Sequence, residues 1–140
     1  MSAATSTRPG GAGAPGAKTV ALKAKLAGEA EVSNGGIPGA TGVATVKITG
    51  MQMCYTLNVP IAEKPIIANI YKGAAGRTGD IVINLEVVFD KTGSAFVAEK
   101  CLDKDPQLLG GIIADPAGFY VNVFTSEHPR GALRGQLAVS

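Results

Sequence analysis

The sequence predicts an all-β domain of short strands interrupted by one short helix. Three observations carry that prediction. Apolar residues recur with period two, as in Val20-Ala21-Leu22-Lys23-Ala24-Lys25-Leu26, where the lysines fall between the buried positions of a strand with one wet face. Nineteen Gly and eight Pro in 140 residues, against a usual Gly content of ~7%, punctuate the chain into short elements. Helical spacing of apolar residues occurs once, at Leu108, Leu109, Ile112 and Ile113.

The elements follow in order. After the strand at Val20 to Leu26, Gly28 to Gly42 reads as a loop around Asn34-Gly35-Gly36 and Pro38-Gly39. Strands are predicted at Val43 to Thr49, Met53 to Val59, Ile66 to Tyr71 and Ile81 to Phe89, with the Gly-rich run Gly73 to Gly79 as a hairpin connection. The helix starts with Asp105 as cap and Pro106 in the first turn, and Asp115-Pro116 stops it. Phe119 to Thr125 and Ala132 to Val139 complete seven strands, a number and spacing that suit a sandwich or barrel. The helix is expected to cover one open end.

A chain of 140 residues fits one domain, and 46% apolar against 17% charged residues argues against intrinsic disorder. Residues 1–18 are a Gly/Ala/Pro-rich linker or assembly tail, and residues 19–140 form the domain. The tail holds Arg8 and Lys18 and no acid, so the remaining eleven basic and eleven acidic side chains balance. No basic stripe interleaved with aromatics is present, so nucleic acid is not an expected partner. No run approaches the ~18 apolar residues of a membrane span. The tail has no apolar core of a secretory leader, so the protein is either cytosolic or an exported one whose signal has been removed.

Cys54 and Cys101 bear on that choice. They lie far apart in sequence, with no CxxC and no neighbouring His for a zinc site. One disulfide is the economical reading, and such a bond persists in oxidising compartments; two buried thiols in a cytosolic protein are the alternative. Phosphate loops, dinucleotide fingerprints, HExxH and GxSxG are missing from the sequence. The single histidine, His128, stands in the turn-like run Ser126-Glu127-His128-Pro129-Arg130-Gly131 and reads as a solvated turn residue. No catalytic constellation emerges, so an enzyme is not expected.

The order of several blocks resembles the CHRD domain family, first described in chordin. They are Glu29 to Val32, Gly42 to Val46, Cys54 to Val59, Ala68 to Gly76, Pro116 to Thr125 and, most specifically, Pro129-Arg130-Gly131-Ala132-Leu133-Arg134-Gly135-Gln136-Leu137. The resemblance spans Val20 to Leu137. It implies a secreted or cell-surface Greek-key β-sandwich related in shape to copper/zinc superoxide dismutases. Bacterial single-domain members usually carry cysteines where Cys54 and Cys101 stand, which favours the disulfide.

The departures from the family pattern bear on function. Members typically read Ala-His-Ile-His-x-Gly where this chain has Ala68-Asn69-Ile70-Tyr71-Lys72-Gly73, and Val-His-Thr where it has Val123-Phe124-Thr125. Three such imidazoles would make a plausible copper or zinc site. Asn69, Tyr71 and Phe124 leave that site vestigial, because neutral Asn is a weak ligand, Tyr must first lose a proton near pH 10, and Phe donates nothing. No metal or other cofactor is expected, and the three residues should cluster because they inherit one shared volume. Glu31 and Arg134 are isolated charges in apolar or Gly-rich blocks and are expected to form a structural ion pair.

Two functions follow from these readings. The first is a non-catalytic extracellular binding or self-assembly module, with a protein partner or a second copy engaged through the tail or an edge strand. The second is a metal-binding copper or zinc domain handling redox chemistry or superoxide, in which Tyr71, Asn69 or His128 recruits the ion.

Overall fold

A computed structural model of the chain describes residues 18–31 and 36–140. The tail up to residue 17 and residues 32–35, within the first long loop, lie outside the described residues. The strands are β1 (Thr19–Ala27), β2 (Thr41–Thr49), β3 (Gln52–Val59), β4 (Pro65–Lys72), β5 (Ile81–Asn84), β6 (Asp90–Thr92), β7 (Ala95–Asp103), β8 (Phe119–Thr125) and β9 (Leu133–Val139). One helix, α1 (Pro106–Ala114), separates β7 from β8.

All nine strands belong to one antiparallel sheet ordered β5-β4-β8-β9-β1-β2-β3-β7-β6. Its two edges, β5 and β6, are consecutive in the chain, and only residues 85–89 join them. That link spans at most ~20 Å when extended, whereas nine strands laid flat would separate the edges by ~38 Å. The sheet therefore curls on itself and encloses its own core, as a sandwich does. At the seam, Leu85 N donates to Ala68 O at 3.1 Å and the Tyr55 hydroxyl donates to Leu85 O at 2.5 Å. Burial, with a smaller push from Glu86, raises the Tyr55 phenol to about 12, so it stays a donor.

Period two decides which residues fill that core. Leu22, Ala24 and Leu26 of β1 face Val46 and Ala44 of β2, which in turn register with Tyr55 and Leu57 of β3. The β2–β3 turn is closed by the pair Thr49 and Gln52, and Gly50 takes φ 61° there, a conformation that only a residue without Cβ adopts cheaply. In α1 the Asp105 carboxylate accepts from Gln107 N at 2.8 Å, Pro106 occupies the first turn, and Leu109 and Ile112 enter the core. Gly110 and Gly111 lie between them in the helix.

The structure corrects the strand count. Nine strands replace the seven expected, because β6 and β7 were not legible and Ile81 to Phe89 is a strand only as far as Asn84. Glu86 there takes φ 53°, and its N–H bonds the Asn84 side chain at 2.8 Å, which turns the chain out of β5 toward the seam. In β7 only Phe96 and Ala98 are buried, and Glu99-Lys100 interrupts the alternation. Its existence depends on pairing with β3 along eight residues.

That pairing places Cys54 directly opposite Cys101. Their sulfurs are 2.01 Å apart in a disulfide on the outer face of the sheet. Cys54 is half-buried and Cys101 exposed, so the bond fastens two strands outside the core.

Candidate functional site

On β4, Ala68 and Ile70 point into the core, so Asn69 and Tyr71 face outward. On β8, Val121 and Val123 point inward and Tyr120, Asn122 and Phe124 outward. Register pairs Tyr71 with Tyr120, Asn69 with Asn122 and Ile67 with Phe124, and β9 adds Arg134 opposite Asn122 and Gln136 opposite Tyr120. Three polar amides, three aromatics and a guanidinium thus share one outer face.

The aromatics form a ladder. Tyr71 stacks on Tyr120 with centroids 5.1 Å apart and planes 7° from parallel, and Tyr71 tilts against Phe124 at 6.3 Å. The Arg134 guanidinium lies 3.4 Å over the far side of the Tyr120 ring. Its in-plane donors bond Ala74 O at 2.9 Å and Gln136 Oε1 at 2.9 Å. Gln136 donates in turn to Gly73 O at 3.0 Å and Ala117 O at 2.8 Å. These bonds bind the Gly73–Gly79 loop and the 3₁₀ turn Pro116–Gly118 over the sheet, leaving Arg134 only 2% exposed.

Glu31 enters the same face from the first long loop. Its Oε2 accepts from Asn122 Nδ2 at 2.5 Å, and Asn122 also donates to Leu133 O at 2.8 Å. Gly131 makes room for it: a Cβ at that position would stand 2.4 Å from the Glu31 carboxylate, and its φ of 124° is itself unfavourable for other residues. Burial raises the Glu31 carboxyl above its ordinary value, against the opposing pull of Asn122 and Arg134.

The expected ion pair between Glu31 and Arg134 does not form. The two ion pairs among the described residues are Lys100–Glu86 and His128–Glu63. Lying flat on Tyr120, the guanidinium aims its donors at Ala74 and Gln136, while Glu31 is taken by Asn122. The two charges face each other across a cleft of about 360 Å³ and act only through the field.

His128 also departs from the solvated turn residue expected. It is partly buried, and its Nδ1 meets Glu63 Oε1 at 2.7 Å, while the Thr125 hydroxyl donates to the same oxygen at 2.6 Å. Burial pushes the Glu63 carboxyl up, but the Thr125 and His128 bonds and the histidine charge outweigh it and leave it lowered. The triplet joins the β3–β4 and β8–β9 loops. Thr125 is fully buried, and its hydroxyl is spent on holding the two loops together.

Asn69, Tyr71 and Phe124 do come together, as one shared volume requires. Asn69 Nδ2 donates to the Tyr71 oxygen at 3.2 Å, and Tyr71 packs on Phe124. The set does not fit a copper or zinc ion. Burial raises the Tyr71 phenol, with Tyr120 and Glu31 adding to it against the Asn69 bond, so the deprotonation a metal needs becomes harder. Phe124 supplies no donor, and among the described residues no three His, Cys, Asp or Glu side chains gather.

Tyr120, Asn122, Gln136 and Glu63 were missed in the sequence. The sequence carries no signal that sets Asn122 between Val121 and Val123 apart from the exposed Asn58 between Leu57 and Val59, because alternation is the same in both strands.

The match that decides kinship covers both ends of this face: residues 22–137 fit the family model of the CHRD domain. The chain belongs to the CHRD domain family. No curated protein and no solved structure matches it. The curled antiparallel sheet of this CHRD domain runs from Leu22 in β1 to Leu137 in β9 within the matched span. No helix among its described residues is long and apolar enough to cross a membrane.

Proposed function

We propose that this CHRD domain is a non-catalytic extracellular module for binding and self-association, and that the uncovered end of the β4 and β8 outer face, at Ile66, Ile67, Tyr71 and Phe124, is its working surface. The observation that carries the reading is the ladder Arg134–Tyr120–Tyr71–Phe124, in which Tyr71 and Phe124 stand at two of the three positions where the family resemblance implies metal-binding imidazoles. Stacked aromatics with a buried guanidinium favour packing and recognition over ligation or proton transfer. The Cys54–Cys101 bond on the solvent side of the sheet suits an oxidising compartment. Beside the Glu63–His128 pair, Thr125 is fully buried, and that lack of access to its hydroxyl supports a non-catalytic role.

The test is metal analysis of the purified protein together with copper(II) and zinc(II) titration. Substoichiometric metal and no saturable binding at micromolar ion are expected. One equivalent of copper or zinc, removed by chelator and restored on addition, overturns the reading in favour of a metal-dependent domain.

A further inference from the structure

Beside the ladder, a slot of about 270 Å³ opens on the same face, walled by Ile66, Ile67, Tyr71, Phe124 and Pro129, with Asn69 on one side. A β-bulge creates it. Pro65 pairs with Thr125 and Ile67 with Phe124, so Ile66 is the extra residue and breaks the alternation. Both isoleucines are consequently about half exposed, at 48% and 46%. Asn69 is 95% buried by the same measure, since only 5% of it is exposed, and its Oδ1 is the one buried side-chain polar atom among the described residues without a partner.

We propose that this slot receives the proline-bearing segment 7–16 of a second copy of the chain. The segment, Thr7-Arg8-Pro9-Gly10-Gly11-Ala12-Gly13-Ala14-Pro15-Gly16, lies outside the described residues and is separated from β1 by Ala17 and Lys18. Grooves walled by aromatics and proline accept extended, proline-containing chains, whose backbone N–H and C=O groups are free of internal hydrogen bonds. Gly10 after Pro9 and Ala14 and Gly16 on either side of Pro15 are small, so the backbone can approach the slot closely there.

Reach selects a second copy. From Thr19 to the slot the path runs eight to ten residues along the strands and three strands across, roughly 30–36 Å. Pro15, four residues before Thr19, reaches at most ~14 Å, and Pro9 reaches that distance only when every intervening residue is fully extended. A neighbouring molecule is free of that limit. Because donor segment and acceptor slot are different surfaces, the contact is heterologous, and repeating it builds an open head-to-tail chain.

This inference rests on the self-association reading above, and the experiment separates the two. Sedimentation velocity of the full chain is compared with Pro9→Ala/Pro15→Ala and with Ile67→Lys, whose exposed position tolerates lysine without unfolding, as a thermal melt verifies. Either change is expected to weaken association by about ten-fold, the loss of one buried apolar anchor. Combining them adds little further, and a synthetic peptide of residues 2–18 competes and shifts the amide resonances of Ile67 and Tyr71. Association that Ile67→Lys weakens but the proline changes leave intact overturns this inference and keeps the self-association reading. A full chain that stays monomeric at millimolar concentration, with no shift from the peptide, overturns both.

Discussion

The outer faces of the two halves of the sheet obey opposite rules. On β1, β2 and β3 the outward positions carry Lys23, Lys25, Lys47 and Asn58, exposed to solvent, with the half-buried Thr45 and Thr56 between them. On β4, β8 and β9 the outward positions carry Asn69, Tyr120, Asn122 and Arg134, all buried, because the Gly73–Gly79 loop, the Pro116–Gly118 turn and Glu31 lie over them. One half is a one-sided sheet whose outer face does little for stability. The other has a second, polar core outside the first, and there a single substitution reaches several loops at once. What distinguishes the two halves is the coverage of the strands, since both alternate alike.

The disulfide is the exception on the exposed half and gives the largest expected effect. Closing a separation of 47 residues stabilises the fold by about 4 kcal/mol on the chain-entropy model. Cys54→Ala/Cys101→Ala should lose most of that in urea unfolding while leaving the ladder intact, as near-ultraviolet circular dichroism of the tyrosines reports. A loss below about 1 kcal/mol means that β7 is held by its own core contacts instead.

Arg134 and Lys25 compare the two halves directly. Arg134→Met removes a buried cation with stacking and hydrogen-bond partners and should cost about 3 kcal/mol, whereas Lys25→Met on the open face should stay within about 0.5 kcal/mol. Equal losses would remove the contrast between the halves.

Acid titration separates two carboxylates. The Glu31 carboxyl is raised by burial, so the native state holds its proton more tightly than the unfolded chain does. Its contribution is fully present below the ordinary value of 4.5 and is lost as pH rises through the raised value. Glu63 is lowered, so its contribution is present above 4.5 and is lost as pH falls through its folded value. Glu31→Gln, which keeps an acceptor for Asn122, should therefore raise stability at pH 7 relative to the parent protein. Glu63→Gln should lower it at pH 7 and flatten the loss at acid pH. Parallel pH profiles for both variants would contradict the assignment.

Within the covered half, the smallest effect is expected at Asn69. Asn69→Leu removes an unpartnered acceptor together with one bond to Tyr71, and the two terms nearly cancel, leaving a change within about 1 kcal/mol toward greater stability. A loss above 2 kcal/mol in the same urea assay would show that the amide is satisfied in the native protein.

Local order was legible in the sequence wherever one residue's neighbours along the chain decide its conformation. Alternation marked β1 through β4, β8 and β9, Asp105-Pro106 marked the start of α1, and positions 69, 71 and 124 were grouped through the family resemblance. Period two fixes which residues share a face, but it does not say which strand lies alongside or whether a loop closes over the outside. Those depend on contacts distant in sequence. β7 exists through its pairing with β3, His128 finds Glu63 across 65 positions, and Arg134 leaves Glu31 for Tyr120 and Ala74 because the Gly73–Gly79 loop folds over β9. Sequence alone determined the one-sided half of the sheet, where water is the default outer neighbour. Only the tertiary structure decided the two-sided half, because a buried polar side chain takes whichever partner the fold delivers at hydrogen-bonding distance.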